Sequence, residues 1–162
     1  MNIRKLRTGD APLMLEWMHD DFVVHDMKTN FASKTLEDCI SFINDAQVAK
    51  DSLHMAVTDD NDIYMGTVSL KHIKNSSAEF AITVRKCAMG KGYSQYGMRH
   101  IIETGFGQIG LEKIYWCVSP VNQRAVRFYD KNGYKRVSFP TEAKEFYAEE
   151  ELQCFIWYEV QN

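Results

Sequence analysis

The stretch Asn122-Gln-Arg-Ala-Val-Arg-Phe-Tyr-Asp-Lys-Asn-Gly-Tyr134 decides how the rest of the chain is read. Asn122 suits a helix N-cap, where its side-chain oxygen accepts from an amide of the first turn. Ala125, Phe128 and Tyr129 then fall at helical spacing and mark a buried stripe. Asn132-Gly133 supplies a left-handed stop, because glycine enters that conformation without a Cβ clash. Upstream, Ile114–Val118 is a short β-rich run; downstream, Tyr134–Val137 is another. The expected unit is a helix between two strands of one sheet.

Thirty residues earlier stands Met89-Gly90-Lys91-Gly92-Tyr93-Ser94, between the alternating run Ala78–Arg85 and a helical pattern that begins at Tyr93. A glycine-rich strand-to-helix turn leaves backbone N–H groups unpaired and aimed at one point, where the helix dipole adds positive potential. Such a turn holds phosphate without side-chain charge. The expected donors are the amides of Lys91, Gly92, Tyr93 and Ser94. The turn lacks the third glycine of a dinucleotide fingerprint and the GK[ST] of a Walker loop. Alone, it also fits a plain flexible turn.

Outward from these two segments the periodicities complete the plan. Ile3–Leu6 reads as a strand, and Asp10 opens a helix carrying Leu13, Met14, Trp17 and Met18. His19–Ser33 is mixed in pattern. Thr35-Leu-Glu-Asp38 forms a capping box ahead of Leu36, Cys39, Ile40 and Ile43. Leu53–Thr58, Ile63–His72 and Ala78–Arg85 alternate and are joined by short turns, so an antiparallel meander follows. Met98, Ile101, Ile102, Gly105 and Ile109 mark a long helix that Gly110 stops. Cys154–Val160 is the last strand, after a loop of about 16 residues containing Pro140 that is long for a compact domain. The order is β-α-α-β-β-β-α-β-α-β-β: a mixed α/β chain with seven strands and about four helices, expected as one domain over residues 1–162.

With 162 residues and a net charge of −3, the chain is not a nucleic-acid binder by overall electrostatics. No apolar run approaches the ~18 residues of a membrane span. The opening residues lack the apolar core of a signal peptide, so a cytoplasmic protein is expected. Cys39, Cys87, Cys117 and Cys154 show no CxxC pair, which argues for free thiols and against a metal centre.

Together the two motifs resemble those of GNAT acetyltransferases. The phosphate motif [Q/R]-x-x-G-x-[G/A] aligns with Met89–Ser94, and N-x-x-[A/S]-x-x-[F/L]-Y-x-x-x-G-[F/Y] is met at Asn122, Ala125, Phe128, Tyr129, Gly133 and Tyr134. Met89 departs from the family's Gln or Arg and Ser94 from its Gly or Ala, which leaves the backbone donors intact. The look is closest to the branch of ribosomal-protein-alanine N-acetyltransferases, through Gly90-Lys-Gly-Tyr-Ser94 and the tryptophan of the first helix.

The resemblance implies a mixed, mostly antiparallel seven-stranded sheet whose fourth and fifth strands splay to admit acetyl-CoA. Ile82 and Val84 are then implied to pair with the pantetheine, Met89, Gly90, Lys91, Gly92, Tyr93 and Ser94 to hold the pyrophosphate, and Asn122 to bond the pantetheine arm. Tyr129, a core residue by periodicity alone, becomes the implied proton donor to the CoA thiolate. The amine acceptor, with a pKa of about 10 when free, must lose a proton. Glu79 is the candidate base, with His72 and His25 as alternatives, and each also reads as an ordinary strand or surface residue. Cys117 reads as packing rather than as an acyl carrier. Trp17, His25 and Glu79 are candidates for the acceptor site. The acidic loop Pro140–Glu151 reads either as a solvated surface or as an anionic rim for a cationic amine. The expected assembly is a monomer or homodimer. A CoA-binding sensor that does not turn over remains the alternative, and an RNA-associated module would need more than the loose cluster Lys71, Lys74, Arg85, Lys86 and Lys91.

Overall fold

The structure is a computed structural model describing residues 1–162. Its strands are β1 (Asn2–Lys5), β2 (Leu53–Thr58), β3 (Tyr64–Lys74), β4 (Ser77–Val84), β5 (Lys113–Val118), β6 (Lys135–Val137) and β7 (Ile156–Gln161). Its helices are α1 (Ala11–Met18), α2 (Asp21–Val24), α3 (Leu36–Val48), α4 (Tyr93–Thr104), α5 (Gln123–Lys131) and α6 (Glu149–Cys154). All seven strands form one sheet in the order β1-β2-β3-β4-β5-β7-β6. Only the β4–β5 contact is parallel.

That contact positions the site. β4 and β5 pair only over Ser77–Glu79 and Lys113–Tyr115. Beyond it, Phe80–Val84 and Trp116–Val118 have no partner across the gap, although each strand stays paired on its other side. The sheet is therefore split into two wings that diverge towards the start of α4.

Alternation along β4 decides what each face meets. Phe80 joins the main core with Val68, Leu70, Met98, Ile101, Trp116, Val126 and Tyr129, and Ile82 packs against it. Helices α4 and α5 cover this face. A second core, built from Leu6, Met14, Trp17, Cys39, Ile43 and Tyr64, lies under α1 and α3 on the opposite face. Arg4 forks onto the buried Asp10 through two bonds of 2.8 Å and ties β1 to the entrance of α1. The Thr35–Asp38 capping box forms at the start of α3 as expected.

Three features differ from the sequence reading. The structure has six helices, not about four, because α2 and α6 fall in segments without a clear helical stripe. The expected loop around Pro140 is ordered: a 3₁₀ turn at Thr141–Glu145 and then α6 pack Ala143 and Leu152 against Tyr115 and Trp157. The long helix leaves α geometry at Gly105 and runs as a π-turn to Ile109 before Gly110 stops it at φ 79°. A Cβ at Gly105 would stand 2.8 Å from Ile114 Cδ1, so a side chain there would push the tips of Ile114, Leu70 and Leu111 aside.

Candidate active site

The first of two cavities opens into the split sheet. It is about 170 Å³ and is bounded by Ile82, Thr83 and Val84 of β4, by Met89, Gly90 and Ser94 of the glycine turn, and by Asn122, Arg124, Phe128 and Tyr129. Val23 and Met27 close it from the first helices. The turn is built as phosphate chemistry needs. Gly90 and Gly92 sit at φ 74° and 87°, conformations that side-chain-bearing residues rarely adopt. Gly92 caps α4, and the amides of Gly92, Tyr93 and Ser94 make no backbone hydrogen bond. Lys91 differs from expectation, since its amide donates to Ala88 O (3.3 Å) inside the turn.

Asn122 caps α5, its Oδ1 accepting from the Ala125 amide at 3.1 Å. Tyr129 is only 7% exposed, packed against Trp116 and Tyr158 with centroids at 5.3 and 5.1 Å. Its hydroxyl makes no hydrogen bond within the protein, and the residue lines the cavity. Burial raises its pKa well above the usual phenol value, so it stays protonated at neutral pH.

The second cavity, about 270 Å³, lies on the face of β3 and β4 under α1 and α3. Met14, Trp17 and Met18, with Phe31, Cys39 and Phe42, supply its apolar wall; Thr67, Ser69 and Lys71 of β3 and Ala81 and Thr83 of β4 form its floor. Trp17 is fixed by donating its indole N–H to Tyr64 Oη (3.0 Å). The two cavities share Ile82 and Thr83, in the stretch of β4 that has no β5 partner.

The structure thus brings Ile82, Val84, Met89, Gly90, Ser94, Asn122 and Tyr129 to one cavity and Trp17 to the other. It does not bring His25 to either. That residue is exposed at the end of α2 beside Asp26. Glu79 also lines neither cavity. It is 3% exposed and bound by Lys71 Nζ (2.9 Å) and Tyr147 Oη (2.6 Å). His72 Nδ1 lies 3.2 Å from its other oxygen without hydrogen-bond alignment. Cys117, beside Tyr147, has its thiol pushed up to about 11 by burial, which suits packing rather than nucleophilic attack.

The sequence reading missed His54. Its Nδ1 lies 2.7 Å from Ser69 Oγ, its ring meets Phe42 edge-on at 4.9 Å, and it lines the second cavity. Burial first, and Lys71 second, lower its pKa below 6.5, so the imidazole is neutral at physiological pH. The β2 alternation puts it on the face of Ala56, away from Leu53, Met55 and Val57. Arg124 was also missed; it lies in the first turn of α5, where its guanidinium donates to Phe22 O and sits over that ring.

A strand pair opened beside a glycine-rich helix start, with a protonated phenol in the gap, is the arrangement that the resemblance to CoA-dependent acetyltransferases implied. Comparison with known proteins agrees. The acetyltransferase (GNAT) domain model matches residues 1–135. An uncharacterised N-acetyltransferase, p20, of Bacillus licheniformis is 23% identical over 141 residues, covering 84% of this chain and 79% of the relative. The spermidine N-acetyltransferase of Vibrio cholerae, solved with CoA and spermine, superposes with TM-score 0.80 at 20% identity, over 99% of this chain and 94% of that one. A chimeric form of the V. cholerae enzyme gives 0.76 at 21% identity, again over 99% and 94%. At such identity these two structures speak for the fold.

The chain belongs to the GNAT acetyltransferase family. It is an N-acetyltransferase with acetyl-CoA as co-substrate. No group of three or more His, Cys, Asp or Glu side chains is placed to hold a metal ion, and no helix is long and apolar enough to cross a membrane.

Proposed function

We propose that the chain moves an acetyl group directly from acetyl-CoA in the split-sheet cavity to a primary amine in the cavity under α1 and α3. The observation that carries this reading is the shared wall: Ile82 and Thr83 border both cavities where β4 has no β5 partner. A thioester carbonyl lying along that stretch faces donor and acceptor at once, which is the proximity that direct transfer needs.

The pyrophosphate rests on the free amides of Gly92, Tyr93 and Ser94, with Lys91 as a nearby positive charge. The pantetheine runs beside Ile82 and Val84 as an added strand and past Asn122. The amine nitrogen attacks the thioester carbonyl carbon, the C–S bond breaks, and the thiolate takes the Tyr129 hydroxyl proton. The proton lost by the amine goes to His54 Nε2 while Nδ1–H donates to Ser69 Oγ. His54 releases it to solvent, and Tyr129 is reprotonated from solvent. Glu79 acts behind Lys71 as a positioning residue, holding that lysine against the acceptor cavity floor.

The test is an acetyl-CoA thiol-release assay with primary amines, run beside calorimetry of acetyl-CoA binding. Micromolar binding, about −8 kcal/mol, together with amine-dependent release is expected. Binding without release from any amine would favour a non-catalytic CoA sensor.

A further inference from the structure

Resting on the reading of the second cavity as the acceptor site, we infer that the acceptor is a monoamine on an apolar, flat body, such as an arylalkylamine, rather than a polyamine. A polyamine brings two or more further ammonium groups, and each needs a carboxylate or a carbonyl array when it leaves water. The cavity offers a single carboxylate, at its rim. Its two lysines are Lys71 and Lys34, and its one carboxylate is Asp38. Lys71 is matched by Glu79 behind the floor at 2.9 Å. Asp38 stands at the rim and spends its Oδ2 on the Thr35 amide (2.8 Å) and hydroxyl (3.1 Å) in the capping box of α3.

The acidic segment Glu142–Glu151 does not supply the missing charge. Glu142 pairs with Lys113 at 2.6 Å, Glu145 with Lys74 at 3.0 Å, and Glu151 with Lys28. None of these glutamates lines the acceptor cavity. Two further ammonium groups would have only Asp38 between them, beside the positive charges of Lys71 and Lys34. What the cavity does offer is aromatic surface from Trp17, Phe31 and Phe42, with Trp17 and Phe31 edge-to-face at 5.1 Å. Its volume of about 270 Å³ suits one ring and a short arm, just under the roughly 300–1,000 Å³ of drug-sized sites.

The experiment compares kcat/KM for 2-phenylethylamine and spermidine with saturating acetyl-CoA, for the wild type, Ala81→Asp and Phe42→Ala. The expected result is a preference of about tenfold or more for 2-phenylethylamine, the scale on which apolar pockets discriminate. Ala81→Asp, which adds a carboxylate to the floor, should narrow that preference. Phe42→Ala, at a partly exposed position, should raise KM for 2-phenylethylamine more than for spermidine. Spermidine turned over as well as or better than 2-phenylethylamine, with rates still sensitive to Ala81→Asp, overturns the assignment of acceptor class and keeps the cavity as the site. Turnover of either amine that neither substitution changes removes the cavity from the reaction and overturns both readings. No turnover of either amine overturns the assignment of acceptor class.

Discussion

At the scale of single residues, the proposed mechanism depends on two polar side chains that burial holds in the protonation state it requires. Tyr129 is one. Its hydroxyl has no partner in the protein, so Tyr129→Phe removes no hydrogen bond and leaves the packing against Trp116 and Tyr158 intact. It should lower kcat by about 10²-fold or more, the usual range for a general acid, while acetyl-CoA affinity by calorimetry changes little. An unchanged kcat would remove Tyr129 from the chemistry. His54 is the other. Its folded pKa lies below the ordinary 6.5. Between those two values the unfolded chain binds a proton that the native state excludes, so stability rises with pH across that window, is complete above 6.5 and is lost as pH falls through it. Thermal melts from pH 7.5 to 5.5 should show a slope that flattens in His54→Gln, and the acid limb of kcat should lie below pH 6.5. Tyr129 was singled out because the family motif includes it. His54 was not, since one histidine in an alternating strand gives no sign of what stands above it, and only the docking of α3 buries it. Glu79 was expected as a candidate base or an exposed strand carboxylate; it is buried against Lys71 and Tyr147, contacts that depend on the tertiary fold.

At the scale of elements, the helix starts and stops carry much of the plan. Asn122 caps α5 and borders the donor cavity. Asn122→Ala should cost about 0.5–2 kcal/mol in urea unfolding through the lost cap, and should weaken acetyl-CoA binding as well. Asn122→Asp, which keeps the cap, should recover the stability; if Asn122→Ala leaves affinity unchanged, Asn122 has a structural role only. Helix α4 lies tightly on the sheet because Gly97 has no side chain: a Cβ there would stand 2.8 Å from Val57 Cγ2. Gly97→Ala should therefore destabilise by about 1–3 kcal/mol, the cost of overpacking, despite alanine's better helix propensity. A gain in melting temperature would contradict this packing. Elements with a strong period or cap, including α1, α3, α5 and the meander, were readable in advance. Helix α6 was not, since Glu149-Glu-Glu151 shows no stripe; Leu152 makes it an element by burying against Tyr115 and Trp157.

At the scale of the whole molecule, the proposed function rests on the interruption in one sheet. The pairing of β4 with β5 ends after three residues because the backbones diverge, with Trp116 and Tyr129 packed on one face and Tyr147 reaching Glu79 on the other. Sequence periodicity reports which face a residue takes but not where two strands separate, so only the family resemblance anticipated the split. The charge pattern was likewise only half legible. Five basic residues stood out as a cluster, yet Lys71, Lys74 and Arg85 are paired with Glu79, Glu145 and Glu16. The most direct test of the open sheet is a crystal structure with CoA bound. The expected result has the pyrophosphate on the amides of Gly92, Tyr93 and Ser94, with the sulfur between Phe80–Val84 and Trp116–Val118 within reach of Tyr129 Oη. A CoA bound elsewhere, or β4 and β5 zipped together along their full length, would contradict it.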